Sequence, residues 1–270
     1  MLKSMPKIQV NKISIYYEIQ GRDRAPYVIF NNGILMNAAS AWQPQVEMLS
    51  NHYRVLKYDF RGQGDSDRPE EQYSMERHAD DLAELMSALE IDRAHMVGLS
   101  YGGTVALAFA LKYPQLCSSL VLAGTASEIG ERLKPIIDAW FNHAKNNNLD
   151  DFFNATVPWF FTSNTFQTKR YILENAKVRY GRLDFEAVAR LCHSFLSANL
   201  TNQLPEIKAP TCIIGGEQDL LIERAYTDIL HKNIPTNELH IIPFSGHVVC
   251  WERMEEFNTV LLGFLSKHAT

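Results

Sequence analysis

The ten residues Ala94-His95-Met96-Val97-Gly98-Leu99-Ser100-Tyr101-Gly102-Gly103 constrain this chain more than any other stretch. A short apolar run (Met96, Val97, Leu99), broken by glycine, reaches a serine, meets two more glycines and passes into the apolar-rich segment Thr104 to Leu111. The pattern predicts a strand, a sharp turn and a helix, with Ser100 at the apex. A serine on so tight a turn takes a strained backbone conformation. The chain also passes close to itself two residues before and two after, where only a residue without a Cβ fits. The hydroxyl then stands exposed at a helix N-terminus, where free N–H groups and the helix dipole favour developing negative charge. Gly98-x-Ser100-x-Gly102 in this setting marks Ser100 as a candidate nucleophile.

The flanking sequence repeats the same alternation of elements. Lys7 to Gln20 alternates around Asn11 and predicts two short strands, with Ile8, Val10, Ile13 and Ile15 facing inward. Tyr27–Phe30 reads as a buried strand that delivers Asn31-Asn32-Gly33-Ile34 to its end. A helix is expected over Ala41–Leu49, a strand over Tyr53–Tyr58, and then the glycine-punctuated loop Asp59 to Ser66. Ser74–Glu90 reads as a helix capped by Ser74, with Leu82, Leu85, Met86 and Leu89 on one face. Further strands are expected at Ser119–Ala123, Pro210–Ile214 and Glu238–Ile242, and a closing helix at Phe257–Phe264. Strands alternating with helices imply an α/β architecture, a mostly parallel sheet with helices on both faces. At 270 residues and 46% hydrophobic content the chain suits one large domain with an insertion better than two independent ones.

From about Ser127 to Asn202 the alternation stops. The pattern there is helical, and it is rich in aromatics: Trp140, Phe141, Phe152, Phe153, Trp159, Phe160, Phe161, Phe166, Tyr171, Phe185 and Phe195. Most are expected to build the insertion's own core. Pro158-Trp159-Phe160-Phe161 is different, because three consecutive aromatics cannot all point to one side of a helix. Trp159 and Phe160 are therefore expected to line a substrate pocket.

Two more segments supply partners for Ser100. Gly215-Gly216-Glu217-Gln218-Asp219 places an acid after one strand, and Phe244-Ser245-Gly246-His247 places an imidazole after the next. Sites in open parallel sheets form along the carboxyl ends of the strands, so all three segments can converge. A serine hydroxyl is a poor nucleophile until a base accepts its proton. His247 has the required basicity, and Asp219 would fix its tautomer and stabilise the imidazolium. Glu128 is the alternative acid.

Net charge is −5 with no basic tract, which argues against a nucleic-acid partner. Met1 to Lys7 lacks an apolar run and no stretch reaches 18 apolar residues, so neither a signal peptide nor a membrane span is expected. Cys117, Cys192, Cys212 and Cys250 have neither metal-ligand spacing nor a paired framework, and the expected setting is reducing and cytoplasmic. No metal or cofactor is expected. Asp80-Asp81 and Glu255-Glu256 read as solvated helix faces; His78, His143, His193 and His231 fall in helical segments without a partner motif, and His95, entering the strand before Ser100, reads as structural.

With Asp59-x-Arg61-Gly62-x-Gly64-x-Ser66, the Ser100 turn, Gly216-x-x-Asp219, and Gly246-His247 with Glu252 beyond, all in order, the chain resembles α/β-hydrolase fold proteins over nearly its whole length. The resemblance implies an eight-stranded, mostly parallel sheet. It also implies a core of residues 1–126 and 203–270, and a helical cap (127–202) between strands six and seven. It makes Asp59 and Ser66 structural, and it places the oxyanion donors at the backbone N–H groups of Ile34 and Tyr101. Asn32 stands where the commonest pattern has histidine, which makes the chain similar to two narrower groups: 3-oxoadipate enol-lactonase-like hydrolases and hydroxyacyl transferases acting on acyl carrier protein thioesters. Asn32, Leu35 and Val248 are expected in the pocket with Trp159 and Phe160. The implied function is hydrolysis of a carboxylic ester, lactone or thioester through an acyl-enzyme on Ser100. The substrate would be a small molecule or an acyl group borne on a carrier protein. The alternatives are acyl transfer to another acceptor and ligand reception without turnover.

Overall fold

The computed structural model describes residues 6–268. Its strands are β1 (Lys7–Val10), β2 (Ile13–Gly21), β3 (Tyr27–Asn31), β4 (Arg54–Tyr58), β5 (Ala94–Leu99), β6 (Cys117–Ala123), β7 (Thr211–Gly216) and β8 (Asn237–Ile242). They form one eight-stranded sheet in the order β1-β2-β4-β3-β5-β6-β7-β8. β2 runs antiparallel to β1 and β4, and every other neighbouring pair is parallel. The antiparallel edge follows from a two-residue turn in which Asn11 and Lys12 both take positive φ, 47° and 68°. Those are the left-handed values a tight hairpin demands. Val10, Ile13 and Ile15 are buried as expected, and Ile8 is half-buried.

Parallel neighbours need crossovers, and helices supply them. Gln43–Leu49 connects β3 to β4, Met75–Ala88 connects β4 to β5, Tyr101–Lys112 connects β5 to β6, and Arg224–Asn233 connects β7 to β8. Because β3 lies between β4 and β5, the strand order reverses there, and the carboxyl ends of β3 and β5 open a crevice. Asn31–Ile34 and Ser100 both stand at its rim. The helix expected over Ala41–Leu49 is two: Ala38–Ala41 and Gln43–Leu49, with Pro44 in the first turn of the second. Pro44 has no N–H to continue a ladder, so the chain restarts a helix at Trp42.

The helix Met75–Ala88 begins at Ser74, whose Oγ accepts from Arg77 N at 3.1 Å. Asp81 on this helix is not solvated as expected; it is only 3% exposed. Arg61 Nε and Nη2 both donate to its carboxylate, at 2.6 and 2.8 Å. A buried carboxylate needs such a partner, and the sequence pattern of the helix does not reveal one supplied from a loop.

Between β6 and β7 lie the helices Leu133–Lys145, Leu149–Thr156, Ser163–Thr168, Arg170–Tyr180 and Phe185–Leu196. This is the helical cap. The first and last of them pack together, and Trp140, Phe152, Phe161 and Phe195 are buried. At the neck, Leu200 N donates to Ser127 O at 2.8 Å, Ser127 Oγ and Thr201 Oγ1 are 2.7 Å apart, and Glu128 bridges to Asn199. The chain therefore enters and leaves the cap through one pinned point. Among the described residues no helix is long and apolar enough to cross a membrane.

Candidate active site

Ser100 sits between β5 and the helix Tyr101–Lys112 with φ 54° and ψ −123°. That conformation is costly for a residue with a Cβ, and the surroundings impose it. Ser100 N donates to Ala123 O at 2.8 Å, and Ser100 O accepts from Thr125 Oγ1 at 2.7 Å. A Cβ on Gly102 would stand 2.2 Å from Asn31 O, and one on Gly98 would stand 2.4 Å from Gly102 O. Backbone fills both places, so the glycines permit the turn.

The loops after β7 and β8 bring the acid and the imidazole together. Gln218 N donates to Ser245 O at 2.8 Å and Glu217 N donates to Ile242 O at 3.0 Å. A Cβ on Gly216 would meet Gly246 O at 2.2 Å, so this close approach also requires glycine. His247 Nδ1 lies 2.9 Å from Asp219 Oδ2, with both side chains almost fully buried. Asp219 Oδ1 accepts from Leu221 N and Ile222 N, each at 2.9 Å, which fixes the carboxylate. Glu128, the alternative acid, is at the cap neck and bridges Asn199. Ser100 and His247 line one cavity. Among the described hydrogen bonds none joins Ser100 Oγ to His247, and such contacts commonly tighten only when substrate binds.

Ile34 and Tyr101 carry backbone N–H groups that donate to no protein acceptor among the described residues. The Ile34 turn is held from behind by Gln63, whose Nε2 donates to Gly33 O at 2.9 Å and Ile34 O at 3.0 Å. Gln63 occupies the variable position in Arg61-Gly62-x-Gly64, so nothing in the motif announces this task. Asp59 accepts from Ala38 N at 2.6 Å and Asp65 N at 2.9 Å, and burial pushes its carboxyl up to about 6. Ser66 Oγ donates to Asp59 O at 2.7 Å. Asp59 thereby ties its loop to the turn at Ala38, and Ser66 Oγ also accepts from Tyr16 N of β2 at 2.9 Å, so both residues hold the loop in place.

The cavity holds about 520 Å³ of empty space, counting its open mouth. Ile34, Leu35, Phe160 and Val248 line it, together with Ser100 and His247. Phe160 stacks against the His247 ring, centroids 5.7 Å apart. Asn32 and Trp159 do not line it. Asn32 is fully buried behind the turn, where its Nδ2 donates to Tyr58 O at 2.9 Å and its Oδ1 accepts from Trp42 Nε1 at 3.0 Å. Trp159 lies under the Arg132 guanidinium, 5.9 Å from its ring centre. Of three consecutive aromatics, then, Phe160 and Phe161 reach the cavity and Trp159 does not. Val157, Arg179, Tyr180 and Trp251 also line it, and no motif marks them.

Two further contacts tie the cap to the segments that carry His247 and Ser100. Glu252 Oε2 accepts from Gly246 N at 2.6 Å, while Oε1 accepts from Thr162 N, Thr162 Oγ1 and Thr165 Oγ1 at 2.8, 2.9 and 2.6 Å. Tyr101 OH stands 2.6 Å from both His78 Nε2 and Ser194 Oγ. Ser194 donates onward to Leu191 O at 2.8 Å, so Tyr101 donates to Ser194 and accepts from His78 Nε2–H. Burial, with Arg61 adding to it, pushes the His78 imidazole down to about 3.

Cys212, Glu238 and His240 bring three metal-ligating atoms within 4.8 Å of one another on β7 and β8, a grouping that sequence spacing does not reveal. Lys267 Nζ already sits 2.8 Å from Glu238 Oε2 there.

The sequence profile of the alpha/beta hydrolase fold family matches residues 26–254. RutD of Pantoea ananatis, provisionally named a carbamate hydrolase, is 29% identical over 262 residues, 95% of this chain and 94% of that protein. The 3-oxoadipate enol-lactonase 1 of Acinetobacter baylyi is 29% identical over 253 residues, 92% of this chain and 91% of its own. The crystal structure of the enol-lactonase from Burkholderia xenovorans LB400 superposes with a TM-score of 0.90 at 29% identity, covering 97% of this chain and 100% of that one.

Proposed function

This chain belongs to the alpha/beta hydrolase fold family and is a hydrolase, and from that premise we propose that it cleaves a small carboxylic ester or lactone through an acyl-enzyme on Ser100. The observation that carries this reading is the buried 2.9 Å contact of His247 Nδ1 with Asp219, in a cavity that Ser100 shares. Ser100 Oγ attacks the carbonyl while His247 Nε2 accepts its proton. Asp219, with its other oxygen held by two backbone N–H groups, orients the ring and stabilises the imidazolium. The N–H groups of Ile34 and Tyr101 receive the oxyanion. His247 returns the proton to the leaving oxygen. It next deprotonates a water that attacks the acyl-enzyme, and Ser100 is released. Residues 127–202 serve as the lid over this site.

Relatives named for lactone and carbamate cleavage favour water as the second nucleophile over a carrier-protein partner. The test is chemical labelling and turnover. A fluorophosphonate probe should modify Ser100, and Ser100→Ala should lower kcat by several orders of magnitude, on the order of 10⁶ where a full triad operates. Near-normal hydrolysis by folded Ser100→Ala protein would overturn the reading.

A further inference from the structure

Away from Ser100 and His247 the cavity lining is mostly apolar, and it carries a single Lys or Arg side chain among the described residues. Arg179, on the cap helix Arg170–Tyr180, lines it alongside Met36, Val157, Phe161 and Trp251. The guanidinium lies over the Trp251 indole, 5.1 Å from its centre. That indole is itself held, because its Nε1 donates to Ala41 O at 2.8 Å. Among the described residues the Arg179 side chain makes no hydrogen bond and no ion pair. Its neighbours differ: Lys177 in the same turn pairs with Asp150 at 2.7 Å, and Lys145 elsewhere in the cap pairs with Glu186 at 3.0 Å. Among the described residues no carboxylate lines the cavity. Burial draws the Arg179 pKa below its ordinary value.

A half-buried cation among apolar groups is costly unless an anion or a set of acceptors meets it. Stacking on Trp251 offsets part of that cost through the ring face, yet leaves the N–H donors in the guanidinium plane unused. A planar fork of donors suits a carboxylate, which it can hold through two parallel hydrogen bonds. We propose that Arg179 is a carboxylate receptor, so that the cavity selects esters or lactones bearing a negative charge away from the scissile carbonyl. This deepens, and rests on, the hydrolytic reading of Ser100. Ser100 comes from the core and Arg179 from the cap. A substrate engaging both bridges the two layers, with its apolar chain against Phe160 and Trp251.

The pair monoethyl glutarate and ethyl pentanoate tests this, since they differ only by carboxylate against methyl at the far end. Wild-type protein should prefer the anionic ester in kcat/KM. Arg179→Met should reduce the ratio of the two constants on the order of 10- to 100-fold, the range for losing charge-assisted hydrogen bonds. Arg179→Lys should recover part of it. Without any variant, glutaramate should inhibit hydrolysis of 4-nitrophenyl acetate more strongly than neutral glutaramide does. An unchanged ratio in Arg179→Met, or equal inhibition by the two amides, overturns the carboxylate site. Hydrolysis of both esters by Ser100→Ala protein overturns the reading beneath it, whatever Arg179 does.

Discussion

At the scale of single residues, the site depends on atoms that are missing as much as on atoms that are present. Gly102 must lack a Cβ because Asn31 O would lie 2.2 Å from it. Gly102→Ala should therefore destabilise the fold by about 1–3 kcal/mol, the usual cost of forcing atoms into filled space. Urea unfolding checks this, and an unchanged midpoint would contradict the close approach. Asp219→Asn removes the charge that faces His247 while keeping the shape. It should lower kcat on the order of 10⁴-fold and leave melting within a few degrees, since the loop amides retain one acceptor. Glu128→Gln, at the cap neck, should leave kcat within a factor of two. Comparable losses in the two variants would reassign the acid.

At the scale of elements, polar ties and aromatic contacts such as Phe160 on His247 and Phe195 on Tyr101 join the cap to the core. Glu252 receives four donors from two segments, Gly246 beside His247 and Thr162–Thr165 in the cap. Glu252→Gln puts an amide NH₂ among those donors. It should cost about 2–3 kcal/mol and lower kcat as well as Tm, because the His247 loop loses its anchor. A fall in Tm with kcat retained would show that the tie serves stability alone. Phe160 and Trp159 are adjacent in sequence and differ in place. If the cavity takes the acyl chain, each buried methylene contributes about 0.8 kcal/mol, and kcat/KM should rise with chain length until the space is full. Phe160→Ala should flatten that rise, and Trp159→Ala should preserve it. A flattened profile in Trp159→Ala would put its ring in the substrate's path after all.

At the scale of the whole molecule, buried titratable groups set the acid response. Burial, above the effects of neighbouring cations, pushes His78 down to about 3 and His95 to about 4, while it raises Asp59 to about 6. Between pH 6 and 4 the unfolded chain gains protons on two imidazoles that the folded chain keeps neutral. Over the same interval the folded chain protonates Asp59, whereas the unfolded chain leaves it ionised. Two minus one leaves a net uptake of one proton on unfolding. Stability from these groups should therefore fall as pH drops, by about 1.4 kcal/mol per pH unit. Denaturation at pH 6, 5 and 4 measures the slope, and His95→Gln, which removes one imidazole, should flatten it. A slope that persists in His95→Gln would locate the proton uptake elsewhere.

The amino-acid sequence alone determined the order of strands and helices, the turn at Ser100, and the acid and imidazole after β7 and β8. Each is a local matter of apolar periodicity, glycine placement and motif, legible because the chemistry demands particular residue types at short spacing. Where Asp81 finds its cation, which carbonyls Gln63 holds, and that Tyr101 joins His78 to Ser194 were decided by tertiary structure. Those partners lie on elements far apart in the chain, and Gln63, Ser194 and Arg179 belong to no repeating pattern. Trp159 and Phe160 show the same boundary within two residues. Composition placed aromatics in the cap, but the direction in which each ring points depends on how the cap helices dock over β5 and the His247 loop. That Arg179 has no ion-pair partner among the described residues emerges only there, because a cation is alone or partnered according to what folds against it.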